Sequence, residues 1–303
     1  MAKVHIHVGA HRTGSSAFQM FLDINAAALR AQGFDLAYPD RDGAEGGRLK
    51  LFLPAPRHTP DTVDWRVKKA RHNLARQVSD PSRALILSEE NILGRMDPFY
   101  HGQFYPFLRA RARFMARVLD GRPVGRILLV VRPYDSLFLS AFRKRSEDNE
   151  MGDFNGIRDR MELFEGDGWP EVALTLIEEL QPRKLVVIPY QRPRRELDLA
   201  RALVPALDPA SLREPELPVN ASLSDAGLFE LQRRYRDAVA PDRAMIEQVR
   251  VQYAGVKADR PYAGFTEAQT EKLRVRYHQD LDTLRLMMGL EVIEPPQQRP
   301  APA

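Results

Sequence analysis

The chain has 303 residues, 44% hydrophobic and 28% charged, which is enough length and apolar content to bury a substantial core. It contains no cysteine, excluding disulfides, thiolate nucleophiles and cysteine-ligated metals, and no apolar run approaches the roughly 18 residues of a membrane span. Its 45 basic and 41 acidic side chains leave a net charge of +4, an excess that suits an anionic ligand without demanding nucleic acid. The first residues lack the basic region, apolar stretch and cleavage site of a secretory signal, so the default expectation is a cytoplasmic protein.

The first predicted element is a strand. Val4-His5-Ile6-His7-Val8 alternates apolar and polar residues, the period of a strand. Gly9, four residues, then Gly14, Ser15 and Ser16 follow, leading into the helical pattern Ala17, Phe18, Phe21, Leu22. Strand, glycine-spaced loop and helix make the setting of a phosphate loop, whose usual form is G-x-x-x-x-G-K-[ST]. Here Ser15 stands at the lysine position, and a cation appears three residues earlier as Arg12. The loop keeps its backbone N–H cradle and the positive end of its helix. It lacks the side chain that reaches β- and γ-phosphates. This favours a nucleotide whose single 5′-phosphate carries something other than a phosphate chain. His5 and His7 read as structural histidines, since H-x-H here lacks further metal partners.

Asp40 to Asp64 reads as loop, followed by a helical pattern from Trp65 to Val78. Three more buried-strand patterns follow, at Ala84–Leu87, Ile127–Val131 and Leu185–Ile188, all continuous apolar runs as in strands covered on both faces. Helical patterns at Phe104–Leu119 and Glu171–Leu180 separate them. Arg109, Arg111, Arg113 and Arg117 fall at helical spacing and read as a solvated face, with a polyanion-binding stripe as the alternative. Ser224 is placed to cap one late helix, and Thr266 with Gln269 forms a capping box for another. The alternation predicts a three-layer α/β/α fold of the P-loop type, with a mainly parallel central sheet and a helical C-terminal portion. One domain is expected over 1–290, with 291–303 a proline-rich, disordered tail.

Two further segments carry chemistry. Glu89 and Glu90 lie just past the Ala84–Leu87 strand, at the ligand side of such a sheet. Either a general base or a cap or salt-bridge role fits them. Arg132 ends the third apolar strand, Pro133 breaks the geometry, and a helix is predicted to start near Asp135 or Ser136. Ser140 then falls about one turn in. An arginine at a strand's carboxyl end with a nearby hydroxyl can hold a second phosphate.

The arginine-bearing loop followed by the Arg132–Ser140 segment, in this order, resembles the sulfotransferase family that uses 3′-phosphoadenosine-5′-phosphosulfate (PAPS), in its bacterial, carbohydrate-type members. The resemblance spans roughly residues 3 to 190. It implies that His11, Arg12, Thr13, Gly14, Ser15 and Ser16 hold the 5′-phosphosulfate, and that Arg132 and Ser140 hold the 3′-phosphate. It implies PAPS as co-substrate, no metal, and a small-molecule or carbohydrate acceptor. Arg12, where the family commonly has lysine, would stabilise charge on the departing phosphate. Glu89 resembles the catalytic glutamate of carbohydrate-type members, and His101 is the candidate if a histidine serves instead. Tyr190 would line the adenine pocket, although Gln191 replaces the family's usual acid. The family's basic-glycine loop over the 3′-phosphate has no clear match, with Lys257 and Arg260 as substitutes. The competing readings are a P-loop kinase-like enzyme and a catalytically silent nucleotide- or glycan-binding module.

Overall fold

The structure, a computed structural model, describes residues 2–40, 43–216, 222–237 and 241–294. Among the described residues, six strands form one sheet: β1 Val4–His7, β2 Phe34–Ala37, β3 Ala84–Ser88, β4 Val124–Val131, β5 Lys184–Pro189 and β6 Leu290–Val292. Their order is β2-β3-β1-β4-β5-β6, and every pairing is parallel. All four strands anticipated from the sequence lie in this sheet.

The side-chain alternation of a strand sorts the apolar residues into two layers. Val4, Ile6, Ile127, Leu129, Val131, Leu185 and Val187 face one core, while Leu128, Val130 and Val186 face the other. Helices cover both. The first layer includes α3 (Pro60–Ala75), α4 (Leu108–Leu119), α5 (Tyr134–Asp148), α6 (Asn155–Glu162), α7 (Trp169–Leu180) and α11 (Glu267–Leu286). On the other side are α1 (Ser15–Ile24), α2 (Ala26–Ala31) and α8 (Glu196–Leu203). This is a three-layer α/β/α fold with a parallel central sheet.

The C-terminal portion is helical, as anticipated. Ser224 caps α9 (Asp225–Arg236) by accepting from Gly227 N at 3.1 Å. Thr266 and Gln269 form the capping box that starts α11. Between them, α10 (Arg243–Gln252) packs on α9 around Leu228, Leu231 and Val249.

Several boundaries differ from expectation. Residues 97–101 form a short 3₁₀ turn and Tyr105 has φ +47°, so α4 starts at Leu108 rather than Phe104. Helix α5 begins at Tyr134, with Pro133 as its N-cap, a position where the N–H that proline lacks would have no helical partner anyway. Strand β6 reaches Val292, two residues into the segment read as tail; 295–303 lie outside the described residues.

Strand order places the site. The chain leaves β1 for the edge strand β2, returns through β3 beside β1, then crosses to β4 on β1's other side. The strand order therefore reverses around β1, and the loops leaving β1 and β4 meet at their carboxyl ends. In such sheets that crevice is where ligands bind.

Candidate functional site

The loop from β1 to α1 is fixed by close approaches. A Cβ on Gly9 would stand 2.6 Å from His7 Nε2 and 2.7 Å from Ser15 Oγ, so no larger residue fits there. Arg12 (φ +63°) and Gly14 (φ +87°) both take left-handed conformations, a costly geometry for the arginine. Between them, Thr13 Oγ1 donates to Ala10 O at 2.6 Å. No side chain caps the first turn of α1, and Ser15 Oγ is buried with no hydrogen-bond partner among the described residues. A buried, unsatisfied hydroxyl is costly, and it lies in the loop that the sequence marks as a phosphate cradle. His11 is also buried, its ring 6.2 Å from that of Tyr105. His7 is satisfied by Ser88 Oγ at 2.9 Å. Burial, with Arg194 nearby, pulls its pKa down to about 3, so it is a neutral structural residue, as expected.

A cleft of about 760 Å³ opens above this loop. Arg12 Nε donates to Ser140 Oγ at 3.0 Å, and Arg12 Nη2 to Ser222 Oγ at 3.4 Å. Arg132 Nε donates to Ser136 Oγ at 3.0 Å, and its Nη1 to the carbonyl of Arg12 at 2.6 Å. The Arg132 guanidinium lies 4.8 Å from the centre of the Tyr190 ring, with Arg194 and Arg192 at 5.6 and 6.0 Å. Burial pulls the pKa of both Arg12 and Arg132 down, and for Arg132 the neighbouring Arg12 and Arg192 charges add to the effect. An arginine starts high enough to stay charged regardless. Among the described residues neither guanidinium forms a salt bridge; hydroxyls, a carbonyl and a ring face hold them, with Glu147 and Glu90 acting on Arg12 and Asp135 on Arg132 from farther off. Two partly buried cations share one cleft, neither in a salt bridge among the described residues although Glu90, Asp97 and Asp148 also line it, and charge-assisted hydrogen bonds from such a pair suit an anion.

The sequence-derived loop residues His11, Arg12, Gly14, Ser15 and Ser16 all line this cleft, with Arg132, Ser140 and Tyr190. Thr13 is buried beneath the loop and braces it. Ser140 binds Arg12, and Arg132 binds Ser136. With α5 starting at Tyr134, Ser136 lies four residues from Arg132, whereas Ser140 is a further turn along and faces the loop.

Glu89 sits next door. It is 6% exposed, and its Oε1 accepts from Asn91 N at 3.0 Å and Asn91 Nδ2 at 2.7 Å, capping the 3₁₀ turn Glu90–Ile92. It lines a second hollow of about 400 Å³ whose other wall is Leu51, Phe52 and Leu53. Asn91 and Arg95 border both spaces, while Glu90 faces the main cleft. The two hollows therefore adjoin, and in the second Glu89 lies with Arg95 and Arg111 opposite an apolar wall.

His101, Lys257 and Arg260 are exposed and line neither hollow. Arg111 overturns the reading of its helix as a solvated face: it is 6% exposed and donates from Nε to Pro54 O at 3.2 Å and from Nη1 to Asn91 O. Its neighbours Arg109, Arg113 and Arg117 are exposed and ion-paired with Glu178, Glu179 and Asp64. Sequence reasoning did not single out Arg192, Lys144 or Ser222 for the cleft; the signal for Lys144 lay in its helical spacing from Ser140. No group of three or more His, Asp or Glu side chains is placed to hold a metal among the described residues. No described helix is long and apolar enough to cross a membrane.

No family model matches the chain, and no curated protein matches it. Among solved structures, it is similar to the crystal structure of a sulfotransferase from Alicyclobacillus acidocaldarius, at 15% identity and a TM-score of 0.44, over 82% of this chain and 96% of that one. At that distance the site speaks through its own residues.

Proposed function

We propose that the chain is a PAPS-dependent sulfotransferase that moves a sulfuryl group to a hydroxyl or amine of a small-molecule or carbohydrate acceptor. One observation carries this reading: Arg12 and Arg132, both partly buried and neither in a salt bridge among the described residues, face one cleft beside a phosphate loop that has serine where triphosphate-binding loops have lysine. A ligand with anionic groups at two places would meet both cations. The unsatisfied Ser15 hydroxyl fits an anion in the loop.

In this reading the loop from His11 to Ser16 holds the 5′-phosphosulfate, and Arg132 meets the 3′-phosphate with Ser140 beside it. Tyr190 supplies the face against which adenine packs. The acceptor oxygen or nitrogen forms a bond to sulfur as the bond from sulfur to the bridging phosphate oxygen breaks. Negative charge grows on that oxygen, and Arg12, fixed by Ser140 and Ser222, stabilises it where it develops. Arginine is a poor proton donor, so its contribution is charge and geometry. Glu89 takes the acceptor's proton from the adjoining hollow, with its carboxylate oriented by Asn91. Residues 1–290 act as one domain.

The test is calorimetric titration with adenosine 3′,5′-bisphosphate and, separately, ATP with Mg²⁺. Tight, metal-independent binding of the first is the expected result. Preference for ATP with Mg²⁺ would favour a kinase-like enzyme and overturn the proposal. Bisphosphate binding without sulfuryl transfer to any of a panel of hydroxyl and amine acceptors would leave a silent binding module.

A further inference from the structure

Arg132 is held from behind as well as from the cleft. Its carbonyl accepts from the indole Nε1 of Trp169 at 3.1 Å. Trp169 begins α7 and is wholly buried; its backbone N–H donates to Tyr134 Oη at 2.9 Å and to Asp280 Oδ2 at 3.1 Å. Tyr134 Oη in turn donates to Asp280 Oδ2. The Tyr134 and Trp169 rings stack with 6.0 Å between centroids and 12° between planes. Asp280, 8% exposed, comes from α11 at the far end of the sequence. The same helix sends Arg274 Nε to Asp135 Oδ2 at 3.1 Å. Side chains of α11 thus reach Tyr134 and Asp135 directly, and Arg132 through Trp169: the whole junction of β4 and α5.

The surroundings make this network unusual. Phe104, Phe138 and Phe164 pack against Tyr134 with centroids 4.7 to 5.9 Å away, an environment that would accept phenylalanine at 134. Replacing a buried polar pair by apolar residues of similar volume is often neutral or stabilising, so stability alone does not account for a carboxylate and a phenol here, with the Arg276 guanidinium 5.9 Å from the Tyr134 ring centre. The chain also accommodates the network at Gly168. With φ +65°, that residue lies where a Cβ would stand 2.1 Å from Tyr134 Oη and 2.6 Å from Asp280 Oδ2. A wholly structural account would make Asp280 a cap for α7 and nothing more.

We propose that Asp280, through Tyr134 and Trp169, is a positioning residue for Arg132, so that the C-terminal helix α11 sets the angle at which the strand-end guanidinium meets its anion. This rests on reading Arg132 as the ligand of a 3′-phosphate. Residues in one hydrogen-bonded network couple, whereas independent ones add, and this difference provides the test.

Titration calorimetry would compare adenosine 3′,5′-bisphosphate with adenosine 5′-monophosphate on the wild type, Asp280→Asn, Tyr134→Phe and Arg132→Ala, and on each of the first two combined with Arg132→Ala. The expected result is that Asp280→Asn and Tyr134→Phe each weaken bisphosphate binding by about tenfold, leave the monophosphate unchanged, and cost nothing further once Arg132 is alanine. Thermal melts check folding; Tyr134→Phe keeps the ring packing and carries the test if Asp280→Asn does not fold. Equal losses for both nucleotides, or a full additional loss on top of Arg132→Ala, would assign the network to stability alone and overturn the inference. Wild-type discrimination that survives both substitutions overturns it too, while leaving the donor site standing. A wild type that does not distinguish the two nucleotides removes the 3′-phosphate reading of Arg132, and this inference with it.

Discussion

Arg12 Nε and Ser140 Oγ meet at 3.0 Å across 128 positions of sequence. The left-handed backbone at Arg12 turns its side chain out of the loop and toward α5, where Ser140 presents its hydroxyl. The cation at the loop is therefore not free to sweep the cleft. Ser140→Ala should release it and weaken binding of adenosine 3′,5′-bisphosphate by about 1 kcal/mol, the usual net worth of one hydrogen bond. Calorimetry at constant pH reads this directly; unchanged affinity would mean that the hydroxyl only rests against the guanidinium.

Arg132→Ala should weaken the bisphosphate by about 1.5–3 kcal/mol, the range for a hydrogen bond to a charged group. Adenosine 5′-monophosphate, lacking the 3′-phosphate, should lose little. Equal losses would place Arg132 against a different part of the nucleotide.

For proton transfer, Glu89→Gln should leave nucleotide affinity intact and lower turnover by roughly 10²–10⁴. Glutamine's carbonyl can still accept from Asn91, so the 3₁₀ turn should persist. His101→Ala should have no effect, because that residue is exposed and lines neither hollow. Wild-type turnover in Glu89→Gln would shift attention to Glu90, the carboxylate that faces the main cleft.

Acid stability should carry a signature of His7. Burial, with Arg194 nearby, lowers its pKa from 6.5 to about 3, so between these values the unfolded chain binds a proton that the folded chain refuses. Stability from this residue is complete above about pH 6.5 and is lost as pH falls toward 3, with a contribution on the order of a few kcal/mol. Urea melts across this range should show a shallower pH slope for His7→Asn than for wild type. Identical slopes would mean that His7 charges freely in the folded protein.

The four strands that could be read from sequence are those whose apolar residues run unbroken or alternate cleanly. β2 was not legible because Asp35 interrupts it. That carboxylate is buried and satisfied by Ser79 N and Ser79 Oγ, both at 2.8 Å, with Arg83 at 3.4 Å, and none of these partners is local in sequence. β6 has three residues, too few to show a period. At the site, loop and strand-end motifs named the residues that share the cleft, because backbone geometry alone brings the ends of β1 and β4 together. The hydroxyl that each arginine takes was decided by where α5 begins, a matter of one helical turn. Arg111 looked solvated because helical spacing says nothing about the loop at 51–54 folding over it. The Asp280–Tyr134–Trp169 contacts join three distant segments, and no single window of sequence contains them.

Both margins of the sheet are short. β2 offers four residues and β6 three, so few unpaired backbone groups remain for a foreign strand to add to. Long, flat margins are what invite strand-by-strand association between molecules. This protein offers little of that template on either side, and copies of it that associate should do so mainly through helical faces, with only a short main-chain ladder open to them.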